Sequence, residues 1–126
     1  MLKTLLSLAA VVATTAGAAQ AEGDPAAGER VFRKCAACHQ VGDDAKNRVG
    51  PVLNGVVGRE IASVDDFRYS DAFQEKKAEG FVWSEENLHA YLENPRQFIS
   101  KNRMAFAGLR KADERADVIA YLAQFQ

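Results

Sequence analysis

The sequence predicts an all-α fold of about five short helices joined by long loops. Three observations carry this reading. Capping residues stand ahead of apolar residues at three- and four-residue spacing in several segments. The main β-branched run, Val49 to Arg59, is broken by three glycines and a proline, which argues against a strand. The chain of 126 residues is also too small to build a generous core of its own, so a bound group is expected to complete it.

The first residues read as an address. Met1-Leu2-Lys3 gives a short positive start, Leu5 to Ala13 is mostly apolar, and Ala19-Gln20-Ala21 is an A-x-A cleavage site. The expectation is a signal peptide over residues 1–21 and one mature domain over 22–126. The apolar run is too short and interrupted to span a bilayer, and no later run is long enough. That places the mature protein outside the cytoplasm, which in a bacterium is the periplasm.

Asp24-Pro25 is a helix start, with Asp24 as cap and Pro25 at the first helical position. Gly28, Val31, Phe32 and Cys35 then share one helical face. Gly42 to Asn47 reads as a solvated loop. Val49 to Arg59 reads as a loop lying against something apolar. Ser70 caps a short helix through Lys77 that Gly80 stops. Ser84 caps the next, with Trp83 and Leu88 in hydrophobic-staple positions and Glu85 and Glu86 at its positive end. Leu88, Tyr91 and Leu92 form its inner face. Asn94-Pro95 ends that helix and starts a short one through Ile99. The last helix opens with Asp113 and Glu114 and carries Arg115, Val118, Ile119, Leu122 and Phe125 as a stripe, with Tyr121 beside it.

The stretch Cys35-Ala36-Ala37-Cys38-His39 is a C-x-x-C-H motif, the attachment signature of c-type haem. Its two thiols can add to the two vinyl groups on one porphyrin edge, and the imidazole that follows can coordinate the iron. Other readings of these residues are weaker. A thioredoxin-like dithiol wants a βαβ context, which this chain lacks. A structural zinc site wants four ligands, and the remaining histidine, His89, is distant and has no partner. A disulfide between such near neighbours closes only a small loop. One covalent haem c is therefore expected, and without it the chain should fold poorly.

For the second axial position the candidates are Met104 and His89. Met104 lies between two helices among small residues, and it is the only methionine besides Met1. His89 sits on the helix whose apolar face is Leu88, Tyr91 and Leu92, and so points toward water or the rim. Histidine–methionine ligation closes both axial positions and favours outer-sphere electron transfer. An open-site peroxidase-like enzyme or ligand sensor is the alternative class, but no distal histidine for it is evident. A net charge of −1 with no basic block argues against nucleic acid.

Several spaced motifs resemble a class I cytochrome c of the mitochondrial and bacterial cytochrome c2 type. They are Gly28 and Phe32, the haem motif, Val49-Gly50-Pro51, Asn54-Gly55, Gly58-Arg59 and Phe67-Arg68-Tyr69-Ser70-Asp71-Ala72. They continue through Trp83-Ser84-Glu85-Glu86, Tyr91-Leu92-Glu93-Asn94-Pro95, Met104-Ala105-Phe106-Ala107-Gly108 and Ile119-Ala120-Tyr121-Leu122.

The resemblance implies the small cytochrome c fold and a set of roles. Cys35 and Cys38 carry the thioethers, and His39 and Met104 are the iron ligands. The Pro51 carbonyl accepts from His39. Arg59, Tyr69 and Trp83 bond the propionates, Tyr91 lies near the Met104 sulfur, and Gly28 meets Tyr121 where the end helices cross. Departures from the family pattern put Asn102 where a propionate-binding threonine is usual, so that the resemblance passes the propionate contact to Asn102, and put Phe73 where an asparagine is usual. Differences in loop length are compatible with the cytochrome c2 branch.

The resemblance further implies a monomeric periplasmic electron carrier, not an enzyme. Its partners would be membrane complexes such as cytochrome bc1 and a terminal oxidase or photosynthetic reaction centre. Arg96, Lys101, Arg103, Arg110 and Lys111 fall between Pro95 and Lys111 without an acid. With Lys34 they are expected to form a basic rim around the haem edge that meets acidic partners.

Overall fold

The computed structural model describes residues 23–126; the expected signal peptide over 1–21 lies outside the described residues. Five helices follow one another: α1 (Pro25–Phe32), α2 (Asp71–Ala78), α3 (Glu85–Glu93), α4 (Pro95–Phe98) and α5 (Ala112–Leu122). Among the described residues there is no strand, and the extended backbone makes a single antiparallel bridge, Glu60 to Val82.

The helix starts follow local chemistry. The side chains of Asp24, Ser70, Ser84 and Asn94 each accept from a backbone N–H in the first turn of α1, α2, α3 and α4. Pro25 and Pro95 occupy first-turn positions where no N–H is needed. Helix α2 stops at Gly80, whose φ of 78° suits glycine. The stripe of α5 is buried at Arg115, Val118, Ile119 and Leu122, while Phe125 falls beyond the helix end. Helix α1 stops at Phe32, short of the motif, and a run of tight turns carries the chain through Cys35 and Cys38.

Helices α1 and α5 cross in close contact. Gly28 makes this possible: a methyl there would collide with the Asp117 carbonyl and crowd Tyr121 Cβ at 2.8 Å. Phe32 packs against Tyr121 at 5.4 Å, and Tyr121 against Phe125 at 5.0 Å. The Asp24 backbone N–H donates to the Asp117 carboxylate at 2.8 Å, tying the start of α1 to the same crossing.

The core beneath holds Ile61, Leu109, Val118 and Ile99, all nearly inaccessible. Around it lies a ring of only half-buried apolar side chains, among them Leu53, Val57, Phe67, Phe73, Met104 and Phe106. Apolar side chains left half-buried in this number are what a flat apolar group would cover.

The crossing gives a direct test. Gly28→Ala should destabilise the haem-loaded protein by about 2 kcal/mol through overpacking. Ala26→Ser on the exposed face of α1 should change little. Guanidinium unfolding of both variants measures the difference.

Candidate functional site: the haem seat

Past α1, successive turns place the motif. Cys35 N–H bonds the Phe32 carbonyl at 2.7 Å, and both Cys38 and His39 bond back to the Cys35 carbonyl, at 3.1 and 2.9 Å. Both cysteines are half-buried free thiols. Burial pushes the Cys35 thiol up to about 11, with Lys34 opposing and Cys38 adding to the rise. It is therefore an S–H at neutral pH, unlike the low-pKa thiolate of a redox dithiol.

His39 is fixed on two sides. Its Nδ1 lies 2.8 Å from the Pro51 carbonyl. A carbonyl can only accept, so Nδ1 carries the proton and Nε2 keeps its lone pair. Burial lowers the basicity of the ring, the Pro51 bond opposes this, and the Arg59 charge reinforces it. The imidazole is thus neutral and ready to coordinate. Gly50 packs against the ring so closely that a Cβ would strike it.

Met104 sits in the non-helical strap between α4 and α5. Its sulfur accepts the Tyr91 hydroxyl at 3.8 Å. Burial raises the pKa of that phenol, which stays protonated as a donor. His89, the rival ligand, lies on α3, yet the α3 side chain that reaches the sulfur is Tyr91. The strap is closed at its far end by Leu109 N–H on the Leu92 carbonyl at 2.6 Å. Gly108, at φ 112°, lies so close to the Glu93 carbonyl that a Cβ would collide with it.

The residues expected to meet propionates divide. The Arg59 guanidinium donates to Asn54 O at 2.8 Å and to Val52 O at 3.3 Å. Its Nε is buried with no partner. The Tyr69 hydroxyl accepts from Val64 N–H at 3.1 Å, which leaves its own hydrogen free. Trp83 is buried within 4.9 Å of Tyr91 and 5.0 Å of Phe81, and its backbone pairs with Gly58 and Arg59.

Asn102 corrects the sequence expectation. Both hydrogens of its amide go to backbone carbonyls, of Pro95 at 3.0 Å and of Ile99 at 2.8 Å, so none remains for a propionate. Phe73 takes no polar role; its ring lies about 6 Å from those of Tyr69, Trp83 and Tyr91, making one aromatic cluster.

Two further residues escape sequence reasoning. Ser63 buries an unpartnered hydroxyl, and nothing in its sequence context marks it. Arg115 is buried at 9 % exposure and clamps the Leu109 and Arg110 carbonyls at 2.7 and 2.9 Å. A charged residue on the apolar stripe of α5 was its signal.

These residues fit a haem. Free thiols, an imidazole with one free nitrogen, a thioether, an apolar ring of side chains and unpartnered buried donors match what the group needs on each side. One open surface cleft lies away from these residues, between α3 and α4 beside Phe98, and another, lined by Ala36, His39 and Tyr121, borders the imidazole.

Fold and site define a c-type haem protein. The family model for cytochrome c matches residues 25–126. Cytochrome c-554 of Methylosinus trichosporium is 49 % identical over 124 residues, spanning 97 % of this chain and 92 % of that one. Cytochrome c2 of Afifella marina is 50 % identical over 100 residues, 79 % of this chain and 81 % of that one. The solved cytochrome c2 of Rhodospirillum centenum superposes with a TM-score of 0.77 at 44 % identity, covering 82 % of this chain and 98 % of that one. The chain belongs to the cytochrome c family, whose members carry electrons on one covalent haem c.

The His39 cradle can be tested through Gly50. Gly50→Ala should displace the imidazole, lower the stability of the haem-loaded protein by about 2 kcal/mol and shift its midpoint potential. Denaturant unfolding and redox titration read the two effects.

Proposed function

We propose that this protein is a soluble periplasmic electron carrier whose haem would be held by His39 and Met104, and that it shuttles single electrons between membrane complexes. The observation that carries the reading is the pair of prepared ligands. His39 is held neutral with Nε2 free by the Pro51 carbonyl, and the Met104 sulfur is tethered by the Tyr91 hydroxyl. The bound group supplies the Fe(III)/Fe(II) couple, and a thioether ligand favours the reduced form.

The chain's own residues do the rest. Cys35 and Cys38 anchor one edge. Pro51 and Gly50 hold the imidazole, so no ligand reorientation accompanies electron transfer. The aromatic cluster of Tyr69, Phe73, Trp83 and Tyr91 keeps water out. Arg59, Tyr69 and Trp83 serve the propionate side, and the unpartnered Arg59 Nε supports that use. His39 and Met104 would together hold the iron and leave no coordination site for a substrate, which supports a carrier over a haem enzyme.

Donors and acceptors of the cytochrome bc1 and terminal oxidase or reaction-centre kind fit the charge distribution. Arg96, Lys101, Arg103, Arg110 and Lys111 are all exposed. Lys34 is partly engaged by Glu114 at 3.5 Å, which reduces its share. Among the described residues no helix is long and apolar enough to cross a membrane.

Two experiments test this. The oxidised protein should show the weak far-red iron–sulfur band, and Met104→Ala should abolish it while the c-type reduced spectrum stays. Absence of that band in the unaltered protein would move the reading to an open-site enzyme or sensor. Association with a purified cytochrome bc1 complex should slow ~10-fold or more between about 0.01 M and 0.1 M salt, as the Debye length falls from about 30 to about 10 Å. Rates indifferent to salt would remove the basic rim.

A further inference from the structure

We infer that Asn102 is the positioning residue for Met104: its side chain ties the ligand's backbone to the end of α4 and so holds the sulfur against exchange. The inference rests on the reading of Met104 as an iron ligand.

Three hydrogen bonds converge on this one half-buried amide. Nδ2 donates to the Pro95 carbonyl at 3.0 Å and to the Ile99 carbonyl at 2.8 Å. Oδ1 accepts the Met104 backbone N–H at 2.9 Å. The first two bonds grip the two ends of the short helix α4; the third grips the ligand residue itself. Asparagine is suited to this because one planar group offers two donors and an acceptor. Threonine has one donor, and aspartate would set an anion against two carbonyls.

The backbone is bent to make the arrangement. Lys101 holds φ 63°, a left-handed conformation that disfavours a lysine. That corner turns the chain back so that Asn102 faces α4.

The other restraints at this end of the strap are longer: the Asn102 backbone N–H on the Ile99 carbonyl at 3.4 Å, the Tyr91 hydroxyl on the Met104 sulfur at 3.8 Å, and an exposed bond from the Arg103 guanidinium to the Arg68 carbonyl at 3.3 Å. At the far end, by contrast, Leu109 pairs with Leu92 and Arg115 clamps two carbonyls. The strap is therefore fixed at one end by backbone and a buried arginine, and at the other by Asn102. Loosening Asn102 should let the strap swing and the sulfur leave while the far end stays docked. Asn102 thus acts through Met104 and touches no substrate.

The test uses imidazole as a competing ligand for the oxidised, haem-loaded protein. Asn102→Ala should bind imidazole ~10-fold more tightly or better, since losing hydrogen bonds of ordinary strength corresponds to a decade or more in affinity. Its far-red band should weaken in parallel. Asn102→Asp keeps the acceptor for the Met104 N–H and should fall between Asn102→Ala and the unaltered protein; it also serves if Asn102→Ala does not load haem. Asp24→Ala, which uncaps α1 at the end away from the motif, should leave imidazole affinity unchanged and so separates local release from general destabilisation.

An unaltered protein with the far-red band, combined with variants at Asn102 whose imidazole affinity is unchanged, would overturn the role of Asn102 alone. An unaltered protein without the band would overturn the Met104 reading and this one with it.

Discussion

The hydrogen bond from His39 Nδ1 to the Pro51 carbonyl is the contact on which the rest of the site depends. It selects the tautomer, and the tautomer decides which nitrogen is left to bind metal. It also joins two segments that have no regular structure of their own, the turns after α1 and the loop that follows. The neighbouring backbone reinforces it: Gly50 N–H bonds the Cys38 carbonyl at 2.9 Å, and Leu53 N–H bonds Gln40 O at 3.1 Å. The loop is therefore a wall whose shape is set by the ring it supports. Gly50 is small because the ring occupies the space a side chain would need.

A second constraint runs through the glycines. At Gly28 the requirement is proximity of two helices, and at Gly108 it is proximity of the strap to the end of α3 together with a positive φ. The first sets where α1 ends, hence where the cysteines begin. The second sets where the strap re-enters the core, hence how far Met104 stands from α3. The two sides of the seat are thus positioned by backbone-to-backbone approaches that no larger residue permits. Flexible side chains then make only the last adjustments.

How much of this could be read from the sequence depends on the kind of signal. Caps are local, so Asp24, Ser70, Ser84 and Asn94 marked their helices before any coordinates. The C-x-x-C-H spacing is equally local and marked the attachment. Contacts between distant segments are another matter. That Asn102 turns to α4 follows from the left-handed corner at Lys101, and a lysine gives no hint of such a corner. The resemblance to the family misled at this position because it transferred a threonine's partner to a side chain with different donors. Ser63 was invisible for a related reason: a serine in a loop has many uses, and only its burial distinguishes this one. Arg115 was half legible, since its place on the stripe of α5 showed that it was inside but not which carbonyls it would hold.

Arg59 and Arg115 show how one residue type can do two jobs. Arg115 is buried and Arg59 half-buried, each donates to backbone carbonyls, and each leaves a buried Nε unpartnered. Arg115 spends its charge at the base of the strap, where the carbonyl dipoles of Leu109 and Arg110 answer it. Arg59 stands where its charge is felt by His39 and by the Tyr69 phenol, opposing a proton on the first and favouring ionisation of the second. A positive charge that disfavours a proton on the imidazole also disfavours added positive charge on anything the imidazole binds. In a low-dielectric setting this reaches farther than it would in water. The same guanidinium that closes the Val52–Asn54 turn would therefore bias a haem held by His39 toward its reduced state. The cost of burying it is met in part by local hydrogen bonds that the fold already requires.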